Sequence, residues 1–169
     1  MIAQEDESLQ KYKAALLGDA LAGTGAVVVD DSDPRNVILK SLSLIVEGRD
    51  DDTIDLTQDL KTIKKRHFVL KEGVKFRIRI DFIVQREIVH GLKYVQKTYK
   101  MGMQVDKMTH MVGSYGPKAD LRSNWTPPED APSGSFHRGT YTIKSLFTDD
   151  DKTEHLKWEW LLKIKKDWE

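Results

Sequence analysis

The chain has 169 residues, with 27 basic and 27 acidic side chains giving a net charge of zero, 39% hydrophobic residues and no cysteine. A balanced charge supplies no overall field for nucleic acid or an anionic membrane surface, and the lack of cysteine excludes disulfides, zinc-thiolate centres and thiol catalysis. No apolar run approaches the ~18 residues that span a bilayer, and the N-terminus lacks the basic-then-apolar pattern of a secretory signal, so the expectation is a soluble, cytoplasmic protein without stable membrane insertion.

Residues 6–17, DESLQKYKAALL, carry the one convincing helical pattern: Leu9, Tyr12 and Leu16 fall on one stripe, Asp6 and Ser8 are candidate N-caps, and Gly18 is a natural stop. A helix this short is marginal in water on its own, so its apolar stripe calls for a surface on this domain or on a partner. Residues 18–35 are rich in Gly, Ala and Asp and read as a linker, with Val27 to Val29 expected to pair briefly with a sheet edge. The division expected is an N-terminal arm over residues 1–35 and one domain over 36–169.

From Asn36 onward the period changes from helical to alternating. The expected strands run over 37–46, 53–56, 67–71, 74–85, 88–99, 103–112, 139–147 and 155–166. In VKFRIRIDFIVQ, Val74, Phe76, Ile78, Ile80, Phe82 and Val84 alternate with Lys75, Arg77, Arg79, Asp81 and Gln85. In HLKWEWLLKIKKDW, Leu156, Trp158, Trp160, Leu162 and Ile164 do the same, and three of the four tryptophans lie there. Two inward tryptophans commit a wide apolar surface to one place, either as core filling or as the wall of a cavity. Residues 113–138 hold four of the five prolines and read as a long loop. Many strands with hardly a helix between them predict an all-β fold, an immunoglobulin-like antiparallel β-sandwich with a short N-terminal helical arm.

Little chemistry of catalysis is present. The five histidines are scattered and read as solvated strand residues, with no metal-ligand spacing. Acidic runs at Asp30-Asp31-Asp33, Asp50-Asp51-Asp52 and Asp149-Asp150-Asp151 match no D-x-D-x-D-G calcium loop and read as solvated turns, the last also as a partner contact. There is no phosphate loop and no nucleophile elbow. The expectation is a non-enzyme with no cofactor and no metal. Met101, Met103, Met108 and Met111 cluster as edge or core packing, or as a soft lining for an apolar ligand.

Four motifs carry a resemblance. FTDDDKTEHLKWEWLLKIKKDW at 147–168, MVGSYGP at 111–117, FVLKEGVKFRIRIDFIVQREIVHGLKY at 68–94 and DESLQKYKAALLG at 6–18 resemble, in order and over most of the chain, the Rho GDP-dissociation inhibitor family. The resemblance implies a sandwich whose inter-sheet cavity takes the geranylgeranyl tail of Rho, Rac and Cdc42-type small GTPases, prenylated and preferentially GDP-bound. It also implies an arm that lies on the GTPase switch regions, membrane extraction, slowed GDP release and a monomer that forms a 1:1 heterodimer with its GTPase.

Carried onto this chain, the resemblance implies a prenyl-binding set of Leu44, Phe68, Phe76, Ile88, Ile143 and Trp160 with Trp158 beside it. It implies GTPase contacts through Asp6, Ser8, Leu9 and Tyr12 of the arm and through Asp106, Glu129, Asp130 and Asp151 of the sandwich. The chain departs from the family in having little sequence ahead of the arm helix and in ADLRSNWTPPEDAP at 119–132. His67 stands where some relatives carry a phosphorylatable serine, while Thr140 keeps a hydroxyl at a second such position. The rival readings are a carrier for other prenylated or acylated cargo and a calcium- or carbohydrate-binding sandwich module.

Overall fold

Alternation of apolar and charged side chains gives each strand one dry face, and two such faces bury each other. The computed structural model describes residues 28–168; the expected arm helix lies outside the described residues. The strands are β1 (Val37–Val46), β2 (Asp52–Asp55), β3 (His67–Lys71), β4 (Lys75–Val84), β5 (Val89–Lys100), β6 (Met103–Tyr115), β7 (Lys118–Trp125), β8 (Glu129–Asp130), β9 (Gly139–Thr148) and β10 (Leu156–Lys165), with a helix α1 (Leu60–Lys64) between β2 and β3. One sheet has the order β2-β1-β4-β7, with β8 also pairing β4, and the other has the order β3-β10-β9-β5-β6. The result is the two-sheet, immunoglobulin-like sandwich that the alternation implies.

One pairing is not antiparallel. Strand β3 runs parallel to β10, with Phe68 opposite Leu162 and Leu70 opposite Ile164. The chain reaches that edge through α1, whose N-cap Asp59 accepts from the Thr62 amide at 2.8 Å and whose Ile63 is fully buried. A crossover of this kind delivers β3 to the second sheet in the same direction as β10, which a hairpin cannot do.

Residues 113–138 are not simply a loop. They continue β6 to Tyr115 and then supply β7 and β8. Strand β7 is an edge strand with both faces largely polar or solvated, and it is held by its ladder to β4 from Arg79↔Trp125 to Val84↔Lys118. The Ser123 hydroxyl donates to the buried Asp81 carboxylate, which also takes Ser41 Oγ at 2.8 Å and Arg79 Nε at 3.3 Å. Backbone pairing of this kind leaves no apolar period to read. Val28 and Val29 join no strand; the Val29 amide bonds instead to the Gln85 side chain at 3.0 Å.

The interior is filled unevenly. Phe82, Phe147 and Tyr115 close one end, with ring centroids 5.3 and 5.4 Å from Phe82. In the middle a polar chain is buried: Trp160 Nε1 donates to Ser145 Oγ at 2.9 Å, Ser145 Oγ and the Tyr94 hydroxyl share a hydrogen bond at 2.8 Å, and that hydroxyl donates to Gln96 Oε1 at 2.7 Å. Burial pushes the Tyr94 phenol far above its ordinary range, so it stays protonated as that chain requires. Ser145→Ala is expected to strand the Trp160 N–H and cost about 1–3 kcal/mol, read by urea denaturation.

Candidate functional site

The end opposite Phe82 and Phe147 is open. A cavity of about 520 Å³ lies there between the sheets, within the ~300–1,000 Å³ of pockets that bury most of a small ligand. Leu44 of β1 and Phe76 of β4 form the wall on the first sheet; Ile143, Trp160, Leu162 and Ile164 form the wall on the second. On β5 the inward positions that face this space are Gln96 and the small Thr98, which leave a gap where an aromatic ring fills the other end. Trp160 is 1% exposed and is backed by Phe68.

The mouth is acidic and partly covered. The register sets Glu129 opposite Phe76 and Asp106 opposite Thr98, which puts both carboxylates on the cavity side of their strands. Asp130 is on the rim beside them and pairs only loosely with exposed Lys75, at 3.9 Å. Partial desolvation at the mouth, and then the neighbouring Asp106 charge, raise the Glu129 carboxyl above its ordinary value. Above the mouth, Lys100 Nζ donates to the carbonyls of Phe136 and Arg138 at 2.6 and 2.8 Å, and the Tyr141 hydroxyl donates to the His137 carbonyl at 2.6 Å. These bonds tack residues 136–138 over the opening, with the Phe136 side chain 90% exposed.

Of the prenyl-binding set expected from sequence, Leu44, Phe76, Ile143 and Trp160 meet on the cavity wall. Phe68 does not reach it: it is fully buried behind Trp160, ring edge to face at 5.3 Å. Trp158 is one step along the same row and packs on Tyr94, centroids 6.1 Å apart. Ile88 lies at the opposite end of the sandwich, in a groove with Asp151. Asp106, Glu129 and Asp130 gather at the mouth, whereas Asp151 lies beyond the Thr148 end of β9, in the groove with Ile88. Asp6, Ser8, Leu9 and Tyr12 lie outside the described residues.

The alternation on β10 already held Leu162 and Ile164. Nothing in the sequence marked Thr98, Gln96 or the Phe136 loop, since a small or polar inward residue leaves no apolar signal. His155 is not solvated: it is buried, with Nε2 2.7 Å from Asp149 Oδ2. Asp149 is buried as well, although its run reads as a solvated turn. Met101, Met103 and Met111 are exposed and line no cavity, while Met108 packs half-buried against the core. Among the described residues no set of three His, Asp or Glu side chains is arranged to hold a metal ion, and no helix is long and apolar enough to cross a membrane.

Comparison with known proteins gives a consistent picture. Residues 1–167 match the family model described as RHO protein GDP dissociation inhibitor. The chain is 54% identical over 166 residues to Rho GDP-dissociation inhibitor 1 of Homo sapiens, covering 98% of this chain and 78% of that protein. It is 50% identical over 165 residues to Rho GDP-dissociation inhibitor 3 of Homo sapiens, covering 97% and 71%. With the Bos taurus form of inhibitor 3 the identity is 49% over 166 residues, covering 98% and 71%.

The Glu129 carboxyl gives a pH test. Its value is raised in the fold, so its protonated form is the favoured one there; the associated stability is present in acid and is lost as pH rises through the folded value. Glu129→Gln is therefore expected to raise the melting temperature at pH 7 and to leave it unchanged near pH 4, read by thermal melts at both.

Proposed function

This chain belongs to the Rho GDP-dissociation inhibitor family, and from that premise we propose that it is a non-enzymatic regulator of Rho-type small GTPases, binding them in a 1:1 complex in the cytoplasm. The observation that carries the reading is the open apolar cavity with its acidic mouth. A membrane holds a prenyl chain at about 0.8 kcal/mol per buried CH₂, so a soluble carrier competes only with a comparably dry site. The walls of Leu44, Phe76, Ile143, Trp160 and Leu162 offer such a site for a geranylgeranyl tail. Extraction is then partition between two apolar phases.

Asp106, Glu129 and Asp130 at the mouth suit a tail whose segment next to the lipid is basic. Asp151 lies at the far end, beside Arg35 and Asn36, where the chain comes in from the arm. The proposed arrangement has the globular GTPase at that end, met by Asp151 and by Asp6, Ser8, Leu9 and Tyr12 of the arm. Its tail would then run along the sandwich to the mouth. Contacts that hold a switch region in one arrangement slow GDP loss, because nucleotide release requires that region to move.

Phe68 and Trp158 act in this reading through Trp160 and Tyr94, as packing behind the wall. Ile88 belongs with the Asp151 end. Thr98→Trp should plug the cavity from β5 without adding charge. Extraction of a geranylgeranylated Rho-type GTPase from vesicles is expected to fall at least tenfold; unchanged extraction by a folded variant would rule out the cavity as the lipid site.

A further inference from the structure

Residues 29–35 have no strand partner, yet their backbone polar groups converge on one side chain. Gln85, just past β4, is fully buried. Its Oε1 accepts from the amides of Val29 and Asp30 at 3.0 and 2.9 Å. Its Nε2 donates to the carbonyls of Asp30, Asp33 and Arg35 at 3.3, 3.0 and 2.8 Å. Its own backbone N–H donates to the Asn36 carbonyl at 2.7 Å. Every hydrogen-bonding position of the side-chain amide is used, all of it on one loop.

The next residue reinforces the contact. Arg86 adopts φ 71°, a conformation uncommon for residues with a side chain, and its guanidinium donates to the carbonyls of Asp31 and Asp33 at 3.2 and 2.9 Å. The loop also closes on itself: Asp30 Oδ1 accepts from the Ser32 amide at 3.0 Å, and Asp33 pairs with Arg35 at 2.7 Å. Surface segments usually satisfy their backbone with water. Here an internal amide fixes both the position and the direction in which the chain leaves the sandwich. It leaves beside the groove that Arg35 and Asn36 share with Asp149, Asp151 and His155.

We infer that Gln85 is a positioning residue for the arm: it sets the root from which residues 1–27 reach the GTPase, and so governs inhibition of GDP release without touching GTPase or lipid. The inference rests on the function proposed above. Gln85→Met keeps length and shape and removes all five side-chain hydrogen bonds. In the free full chain, hydrogen exchange at the Val29 and Asp30 amides is expected to quicken at least tenfold, with β9 and β10 unchanged. In the complex, GDP release should quicken at least fivefold while affinity for a geranylgeranylated peptide stays within twofold.

In a chain whose arm contacts are removed by Asp6→Ala and Tyr12→Ala, which should itself quicken GDP release, adding Gln85→Met should cause no further loss, since both act through the arm. Gln85→Glu keeps the acceptor toward Val29 and Asp30 but turns an oxygen toward three carbonyls, and is expected to follow Gln85→Met in both readouts. Unchanged exchange at Val29 and Asp30, quickened exchange with full inhibition, or additive losses would overturn the inference. If the unsubstituted chain fails to slow GDP release, the proposed function fails instead, and the exchange result still decides whether Gln85 anchors the loop.

Discussion

The hydrogen bond from Trp160 Nε1 to Ser145 Oγ, 2.9 Å long and fully buried, holds the boundary between a packed core and an open cavity. An apolar void costs stability through lost contacts, and a sandwich left to itself closes its sheets on one. Trp160 resists this because its indole is fixed from two sides. Phe68 stands behind it, and Ser145, Tyr94 and Gln96 form a polar chain whose members satisfy one another across β10, β9 and β5. Breaking that chain leaves buried polar groups without partners, so the wall does not slide to fill the gap.

The two ends of the sandwich consequently differ in kind. At one end Phe82, Phe147 and Tyr115 make a dense aromatic plug, and the outer turn is organised by the buried Asp149, which accepts from the Asp151 and Thr153 amides at 2.9 and 3.1 Å as well as meeting His155. At the other end, small and polar residues on β5 leave the cavity, and Lys100 and Tyr141 tack residues 136–138 over its mouth. A rigid end suits recognition of a folded surface. An open apolar cavity suits a chain without fixed shape.

Much of this was legible in the sequence, and for a definite reason. Strands β4 and β10 alternate over most of their length, broken only at Ile83 and Leu161, which fixes which side chains face inward, and the long motifs around them carry the family resemblance. Alternation says nothing of depth along a strand, so by itself it does not separate Trp158 from Trp160, although only Trp160 borders the cavity. It is also silent on edges held by backbone pairing. Strand β7, polar on both faces, therefore reads as loop, and α1, a single capped turn around Ile63, is too short to show a helical period. The buried His155–Asp149 pair and the Gln85 anchor depend on partners distant in sequence or on a closed turn, and neither has a periodic signature.

The central claim is that the cavity, and not the outer surface, receives the lipid of a GTPase tail. Isothermal titration of the full chain with a geranylgeranylated basic peptide, and with the same peptide lacking the lipid, tests this most directly. The account predicts 1:1 binding of the lipidated peptide with a negative heat-capacity change from apolar burial, and at least a hundredfold weaker binding of the bare peptide. Equal affinity for the two peptides, or no binding of the lipidated one, would contradict it.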